Sequence, residues 1–155
     1  MNIDPEQTYI FTLEGVLSDK ECQSLIDRIE LEGPTTAPIN TAHGPRVKLG
    51  VRNNERIMFD DPDLANELFD RVKDQIPSQI HEMHFCGGNE RFRCYRYKPG
   101  MRFAPHADGA FVRNEKEQSW YTFMVYLNDG FEGGNTTFLV EPEVSISPAA
   151  GKALF

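Results

Sequence analysis

His106 and Asp108 stand two residues apart in the stretch YKPGMRFAPHADG, residues 97–109, inside a run of aromatic residues and just after a Pro-Gly turn. On an extended strand, residues i and i+2 point to the same face, so this spacing presents one imidazole and one carboxylate side by side while Ala107 points away. A hard divalent ion with mixed nitrogen and oxygen ligands wants such a pair. The pattern H-x-D is short enough to arise by chance. The alternative reading is a structural histidine hydrogen-bonded to a neighbouring aspartate.

Beyond residue 90 the sequence takes on the period of strands. RFRCYRY, MRFAPHAD, SWYTFMVYLN, NTTFLV and VSI are short and rich in aromatic or β-branched residues, separated by KPG, a charged stretch around RNEKEQ, DGFEGG and PEP. They lack the intervening helices of a parallel α/β sheet, so the expected architecture is mainly β, a sandwich or jelly roll. Alternation along 119–127 places Trp120, Thr122, Met124 and Tyr126 on one face and Tyr121, Phe123, Val125 and Leu127 on the other. Polar groups on an otherwise apolar inner wall need hydrogen-bond partners when buried.

The earlier half reads as support. An opening strand is expected at TYIFTLEGV. Ser18 and Glu21 then match a capping box, and Cys22, Leu25, Ile26 and Ile29 recur at helical spacing, which predicts a helix over 19–31. Residues 33–45, GPTTAPINTAHGP, carry too many turn formers for a regular element and predict a loop or lid. A second helix is capped by Asp61, with Pro62 and Asp63 in its first turn; Leu64, Leu68, Val72 and Ile76 recur every four residues beside Phe69, and Pro77 stops the pattern. These helices pack outside the sheets.

The chain of 155 residues is long enough for one domain with a real core, and its 39% hydrophobic and 26% charged residues are those of a globular protein. A net charge of -8 argues against a nucleic-acid partner, because phosphate binding needs a basic surface. RFRCYRYK, 91–98, alternates its basic residues with aromatics and reads as a strand with one wet face. Cys22, Cys86 and Cys94 are odd in number and widely spaced, which predicts reduced thiols and not a disulfide framework. Apolar runs fall short of the roughly 18 to 20 residues of a membrane span, and MNIDPEQTYIF lacks a basic region followed by an apolar one. The expectation is a soluble protein, cytoplasmic or otherwise intracellular, without a membrane partner; an export signal removed ahead of this sequence stays open.

The other histidines have bland readings beside their chemical ones. His81, His84 and Cys86 in IHEMHFC could suggest zinc, but their spacing is poor for a tetrahedral site, and a connection with solvated histidines is the simpler expectation. His43 lies in the turn-rich loop. It is expected at the surface, or against substrate if the loop is a lid.

Taken in order, RCYRYKPGMRFAPHADG and YTFMVYLNDGFEGGNTTF, within Arg93 to Phe138, resemble the iron(II) and 2-oxoglutarate dependent dioxygenases, in particular their prolyl 4-hydroxylase-like branch. The resemblance rests on a tyrosine, a Pro-Gly turn, the H-x-D pair, a Y-L-N strand end and a Gly-Gly-x-Thr-x-Phe segment in that order, and it reaches loosely back through VRNNERIMFDD. It implies a double-stranded β-helix (jelly roll) supported by N-terminal helices, forming a single dioxygenase domain over 1–155. His106 and Asp108 would be the first two Fe(2+) ligands and the catalytic centre. Tyr97 and Tyr126 would reach 2-oxoglutarate, with Thr137, Met124 and Thr122 as weaker candidates to line its pocket. Gly133 and Gly134 would shape the turn back to the barrel, and Asn135 stands where many relatives have glutamate.

The cofactors implied are Fe(2+), 2-oxoglutarate and O2, with ascorbate as a reductant. The reaction implied is hydroxylation of a substrate, of which a peptidyl proline is the favoured example, coupled to decarboxylation of 2-oxoglutarate to succinate and CO2. A protein or peptide substrate is the expected partner, with a small molecule as the alternative. The family also needs a second histidine, and about ten residues later a basic residue for the distal carboxylate; both are expected beyond Phe155, and Lys152 falls too early for that role. Three readings of SPAAGKALF stay open: a truncated chain, a shortened non-catalytic relative, or another histidine moved into the site. The alternative function is a catalytically inactive jelly-roll domain that binds or regulates another protein.

Overall fold

Ser18 begins the first helix as its side chain predicts. Its hydroxyl accepts from the Glu21 N–H, while a Glu21 carboxylate oxygen accepts from the Ser18 N–H at 2.8 Å, so the capping box is closed in both directions. Such a cap contributes about 1 kcal/mol. Helix α1 runs over Asp19–Glu32 and ends at Gly33, which takes the left-handed conformation at φ 72°. In this computed structural model, residues 2, 3, 9–80 and 82–155 are described.

Helix α2 spans Pro62–Val72, capped by Asp61, whose carboxylate accepts from the Leu64 N–H at 3.1 Å. It stops four residues earlier than the apolar repeat suggested. Pro77 disfavours the helical conformation at Ile76, and the chain leaves through a turn closed by Gln75 N–H to the Val72 carbonyl at 2.8 Å. Ile76 still packs on the core beside Leu64, as the four-residue spacing required. Arg71 joins the two helices: it donates to the Val16 carbonyl at 2.8 Å and to the Glu21 carboxylate at 2.5 Å. That contact first, then the Ser18 bonds, holds the Glu21 carboxyl down at about 2.

Both helices cover a three-stranded antiparallel sheet in the order Met124–Val125, Ala153–Leu154, Thr12–Leu13. The core between them contains Val16, Leu17, Cys22, Leu68, Val72, Ala153 and Phe155. Phe155 stacks on Phe11 at 4.8 Å and on Phe123 at 4.9 Å between ring centroids. Of the expected alternation the packing of one face is kept: Tyr121, Phe123, Val125 and Leu127 all pack towards this core, although Met124 and Tyr126 between them are half-buried as well. Gly151 is essential to the arrangement. It has φ +76°, and a Cβ there would lie 2.0 Å from the Leu17 carbonyl oxygen.

A second sheet, in the order Thr35–Thr36, Glu55–Asp60, Arg91–Arg96, carries the site's support. Its central strand, Glu55–Asp60, lies in VRNNERIMFDD, the segment that the family resemblance reached only loosely. It pairs antiparallel with Arg91–Arg96 over six residues, from Glu55 opposite Arg96 to Asp60 opposite Arg91. Oppositely charged residues face each other at both ends: Arg96 binds Glu55 at 2.6 Å, and Arg91 grips Asp60 with two bonds of 2.8 and 2.9 Å. Phe59 and Phe92 stack between them at 5.5 Å.

The remaining strands form small separate sheets, with Thr136–Phe138 against Val144–Ile146, Val112–Asn114 against Glu117–Gln118, and Asn2–Ile3, Gln79–Ile80 and Met83–His84 together. Among the described residues the sheets do not close into the expected barrel. The two strands expected to form its wall are mostly irregular: 101–108 keeps one isolated bridge, Arg52 to Phe103, and 119–128 keeps only Met124–Val125 as strand. A strand persists only where a ladder satisfies its backbone groups, and Pro105 has no N–H to offer one. Residues 33–45 are largely loop, interrupted by Thr35–Thr36 and by a bridge between Ile39 and Arg46. The opening strand is likewise short, Thr12–Leu13, and the Thr8 end of its expected range lies outside the described residues.

Candidate functional site

The segment carrying His106 is anchored to the residues that lead into Glu55–Asp60. The Ala104 N–H donates to the Val51 carbonyl at 2.8 Å, the Asn53 N–H to the Arg102 carbonyl at 3.2 Å, and the Arg102 N–H to the Asn53 side chain at 2.6 Å. His106 and Asp108 thus follow a bend at Pro105 that leaves a segment, Arg102 to Ala104, bonded to residues 51–53. The strand expected under them is absent, yet the side-chain consequence of i, i+2 spacing is kept.

His106 Nδ1 lies 2.9 Å from the Ala104 carbonyl oxygen. A carbonyl only accepts, so this bond places a proton on Nδ1, and in the neutral imidazole the lone pair is then on Nε2. Nε2 lies 3.3 Å from Asp108 Oδ1. The other carboxylate oxygen, Oδ2, accepts from the Thr122 hydroxyl at 2.8 Å. Two lone-pair donors therefore face one another, each steadied by a second hydrogen bond. Two such donors, each about 2.1 Å from a common ion and at about a right angle, are about 3 Å apart. The donor set fits a small divalent cation, with a backbone carbonyl and a threonine in the outer positions that orient metal ligands. Both side chains are open to solvent, 41% and 59% exposed. Among the described residues, no group of three or more His, Cys, Asp or Glu side chains converges.

The structure distributes the other expected residues unevenly. Thr122 joins the His106 and Asp108 pair directly through its hydroxyl. Tyr126, farther along the same alternating face, donates to the Thr136 hydroxyl at 2.6 Å. Burial pushes the Tyr126 phenol up, and that bond partly offsets the effect. Thr137 occupies the other side of its strand and meets Ser145, 3.3 Å between hydroxyl oxygens, where Asn135 also donates to Ser145. Thr136, overlooked in the sequence reading, is the threonine beside Tyr126. The alternation of Thr136–Phe138 was the signal that could have found it.

Tyr97 is half exposed, its phenol raised by burial and partly offset by the charge of Arg52. Arg52 was also overlooked. It is buried under Phe103, whose ring stacks on the His106 imidazole at 3.6 Å between centroids. Gly133 and Gly134 both take positive φ in the turn before Thr136–Phe138, and a Cβ on Gly134 would lie 2.7 Å from the Phe131 ring. One surface recess is lined by Asp129, Phe131, Asn135 and Ser147, another by Ala65, Asn66, Cys86 and Arg113; neither includes His106 or Asp108.

The remaining histidines and the cysteines stay apart from this pair. His84 lies on the exposed strand Met83–His84, and His43 in an exposed turn where its N–H donates to the Thr41 hydroxyl at 3.2 Å. His81 lies outside the described residues. All three cysteines are free, with Cys22 buried and Cys86 exposed. Burial raises the Cys22 thiol and pushes Cys94 up to about 11, which suits inert thiols. Among the described residues, no helix is long and apolar enough to cross a membrane.

No family model matches the chain. It is 28% identical over 148 residues to prolyl 4-hydroxylase 1 of Arabidopsis thaliana, a match covering 88% of this chain and 50% of that protein. It is 26% identical over 133 residues to a protein of the same plant named "Probable prolyl 4-hydroxylase 8", covering 83% of this chain and 44% of the relative. The chain thus spans about half the length of the curated relatives it matches. Among solved structures, a viral collagen prolyl hydroxylase of Paramecium bursaria Chlorella virus-1, in its 2OG complex, superposes with a TM-score of 0.59 at 24% identity over 97% of this chain and 78% of that one. This likeness shows the fold: N-terminal helices against a jelly-roll-like arrangement of strands.

Proposed function

We infer the activity of this chain from the family to which it belongs, the prolyl 4-hydroxylase-like branch of the iron(II) and 2-oxoglutarate dependent dioxygenases. The proposal is a single dioxygenase domain that hydroxylates a substrate, a peptidyl proline in a protein or peptide being the favoured example, while 2-oxoglutarate becomes succinate and CO2. His106 and Asp108 would hold iron(II), which when bound would supply the chemistry between O2 and 2-oxoglutarate, with ascorbate as reductant.

His106 offers a neutral nitrogen because Ala104 holds the proton on the far side of its ring. Asp108 offers one oxygen and the negative charge, and Thr122 keeps the other oxygen from rotating into the place of the first. Tyr97 and Tyr126 orient the cosubstrate carboxylate through their hydroxyls, the Tyr126 O–H turning to it from Thr136. The observation that carries the proposal is the 3.3 Å approach of Nε2 to Oδ1 with both outer atoms hydrogen-bonded.

The test is oxygen-dependent conversion of 2-oxoglutarate to succinate with added iron(II), comparing the protein expressed from its whole coding sequence with its His106→Ala variant. Turnover lost in the variant supports the oxygenase. A second reading, an inactive domain that binds or regulates another protein, is favoured by the solvent-open pair of donors. It predicts a folded protein with neither turnover nor iron affinity.

A further inference from the structure

Arg52 is only 4% exposed, and its guanidinium lies between two rings, 4.4 Å from the centroid of Tyr95 and 4.1 Å from that of Phe103. On its far side Phe103 stacks on His106, with ring centroids 3.6 Å apart and planes 20° from parallel. Tyr95, Arg52, Phe103 and His106 therefore form one column that ends on a candidate metal ligand. Arg52 Nε donates to Asn54 at 2.7 Å, and Asn54 is itself wholly buried at 0% exposure. Nη2 is buried with no hydrogen-bond partner among the described residues.

A buried cation with so few hydrogen bonds is a poor source of stability compared with an apolar side chain of similar volume. What a guanidinium supplies that an aliphatic chain cannot is a rigid charged plane that stacks on aromatic faces. Here it packs over two rings, and a backbone bridge joins Arg52 to the residue that carries one of them, Phe103.

We propose that Arg52 is a positioning residue that holds the Phe103 ring flat against His106 and so fixes the direction of Nε2 beside Asp108. Two restraints then act on the imidazole: the stack fixes the plane of the ring, and the bond from Nδ1 to Ala104 fixes its rotation within that plane. Only one direction is left for Nε2. The proposal rests on the reading of His106 and Asp108 as metal ligands.

Arg52→Lys keeps the charge and removes the plane. With Mn(II) alone as the probe, followed by electron paramagnetic resonance, its affinity is expected to fall about tenfold or more, as for loss of a ligand-orienting contact. In the metal-free protein, NMR cross-relaxation between the Phe103 and His106 rings is expected to weaken, while circular dichroism stays that of the parent. Phe103→Leu, which keeps Arg52, is expected to lose the same affinity, and the double variant to be no weaker than the weaker single one. A folded Arg52→Lys protein with the ring contact intact and Mn(II) affinity within about twofold of the parent overturns the proposal, as do additive losses in the double variant. Should Arg52→Lys fail to fold, Phe103→Leu decides: parental Mn(II) affinity there overturns the proposal. A parent protein that ignores Mn(II) counts against the dioxygenase reading, and the ring contact in metal-free Arg52→Lys still tests the column.

Discussion

Thr122→Val isolates the contribution of one hydroxyl to the candidate metal centre. The two side chains have nearly the same shape, and the change deletes the 2.8 Å bond to Asp108 Oδ2 without touching either proposed ligand. A hydrogen bond to a charged acceptor is worth about 1.5 to 3 kcal/mol when shielded. Asp108 is 59% exposed, so water replaces much of the loss. The remaining effect is about 1 kcal/mol, or about a fivefold loss of divalent-cation affinity. The cost is one of orientation, because an exposed aspartate released from its partner has other rotamers to occupy. Mn(II) titration of parent and variant measures the effect, with thermal unfolding as the control. Stability should change by less than about 0.5 kcal/mol, since Thr122 is exposed. Mn(II) affinity equal to or above that of the parent would refute the claim that Thr122 orients Asp108.

Tyr97→Phe is expected to raise the KM for 2-oxoglutarate with little change in kcat; steady-state succinate formation that shows unchanged 2-oxoglutarate dependence sinks the role given to this hydroxyl. Gly151→Ala should destabilise the fold by about 3 kcal/mol or more, through its positive φ and the clash with Leu17, as read by urea unfolding. Glu21 gives a pH test. Its carboxyl titrates at about 2 in the fold against 4.5 ordinarily, so its contribution is complete above 4.5 and disappears as pH falls towards 2. Glu21→Gln should therefore lower Tm at neutral pH, converge with the parent near pH 2, and show a shallower decline across that window.

The gap between expectation and structure has a consistent cause. Ser18, Asp61 and Gly33 announce helix ends because a cap is settled within four residues of chain. Residues 101–108 and 119–128 have the composition of strands, but a strand exists only where another segment supplies its ladder, and in this fold their pairing is mostly with single positions of distant segments. Glu55–Asp60 shows the converse. Its pattern is weak, and the long register with Arg91–Arg96 makes it the centre of a sheet.

At the candidate site, the sequence by itself determined that His106 and Asp108 lie side by side, and the face on which Thr122 and Tyr126 lie. Each follows from the alternation of an extended backbone, a rule that acts over two residues. Only the tertiary structure decided that Ala104 claims the Nδ1 proton of His106, that Thr136 and not Thr137 meets Tyr126, and that Arg52 lies beneath Phe103. These contacts depend on a turn's detailed path or on segments far apart in sequence, where the free energy of burying a ring or a guanidinium is set by what the rest of the fold brings against it.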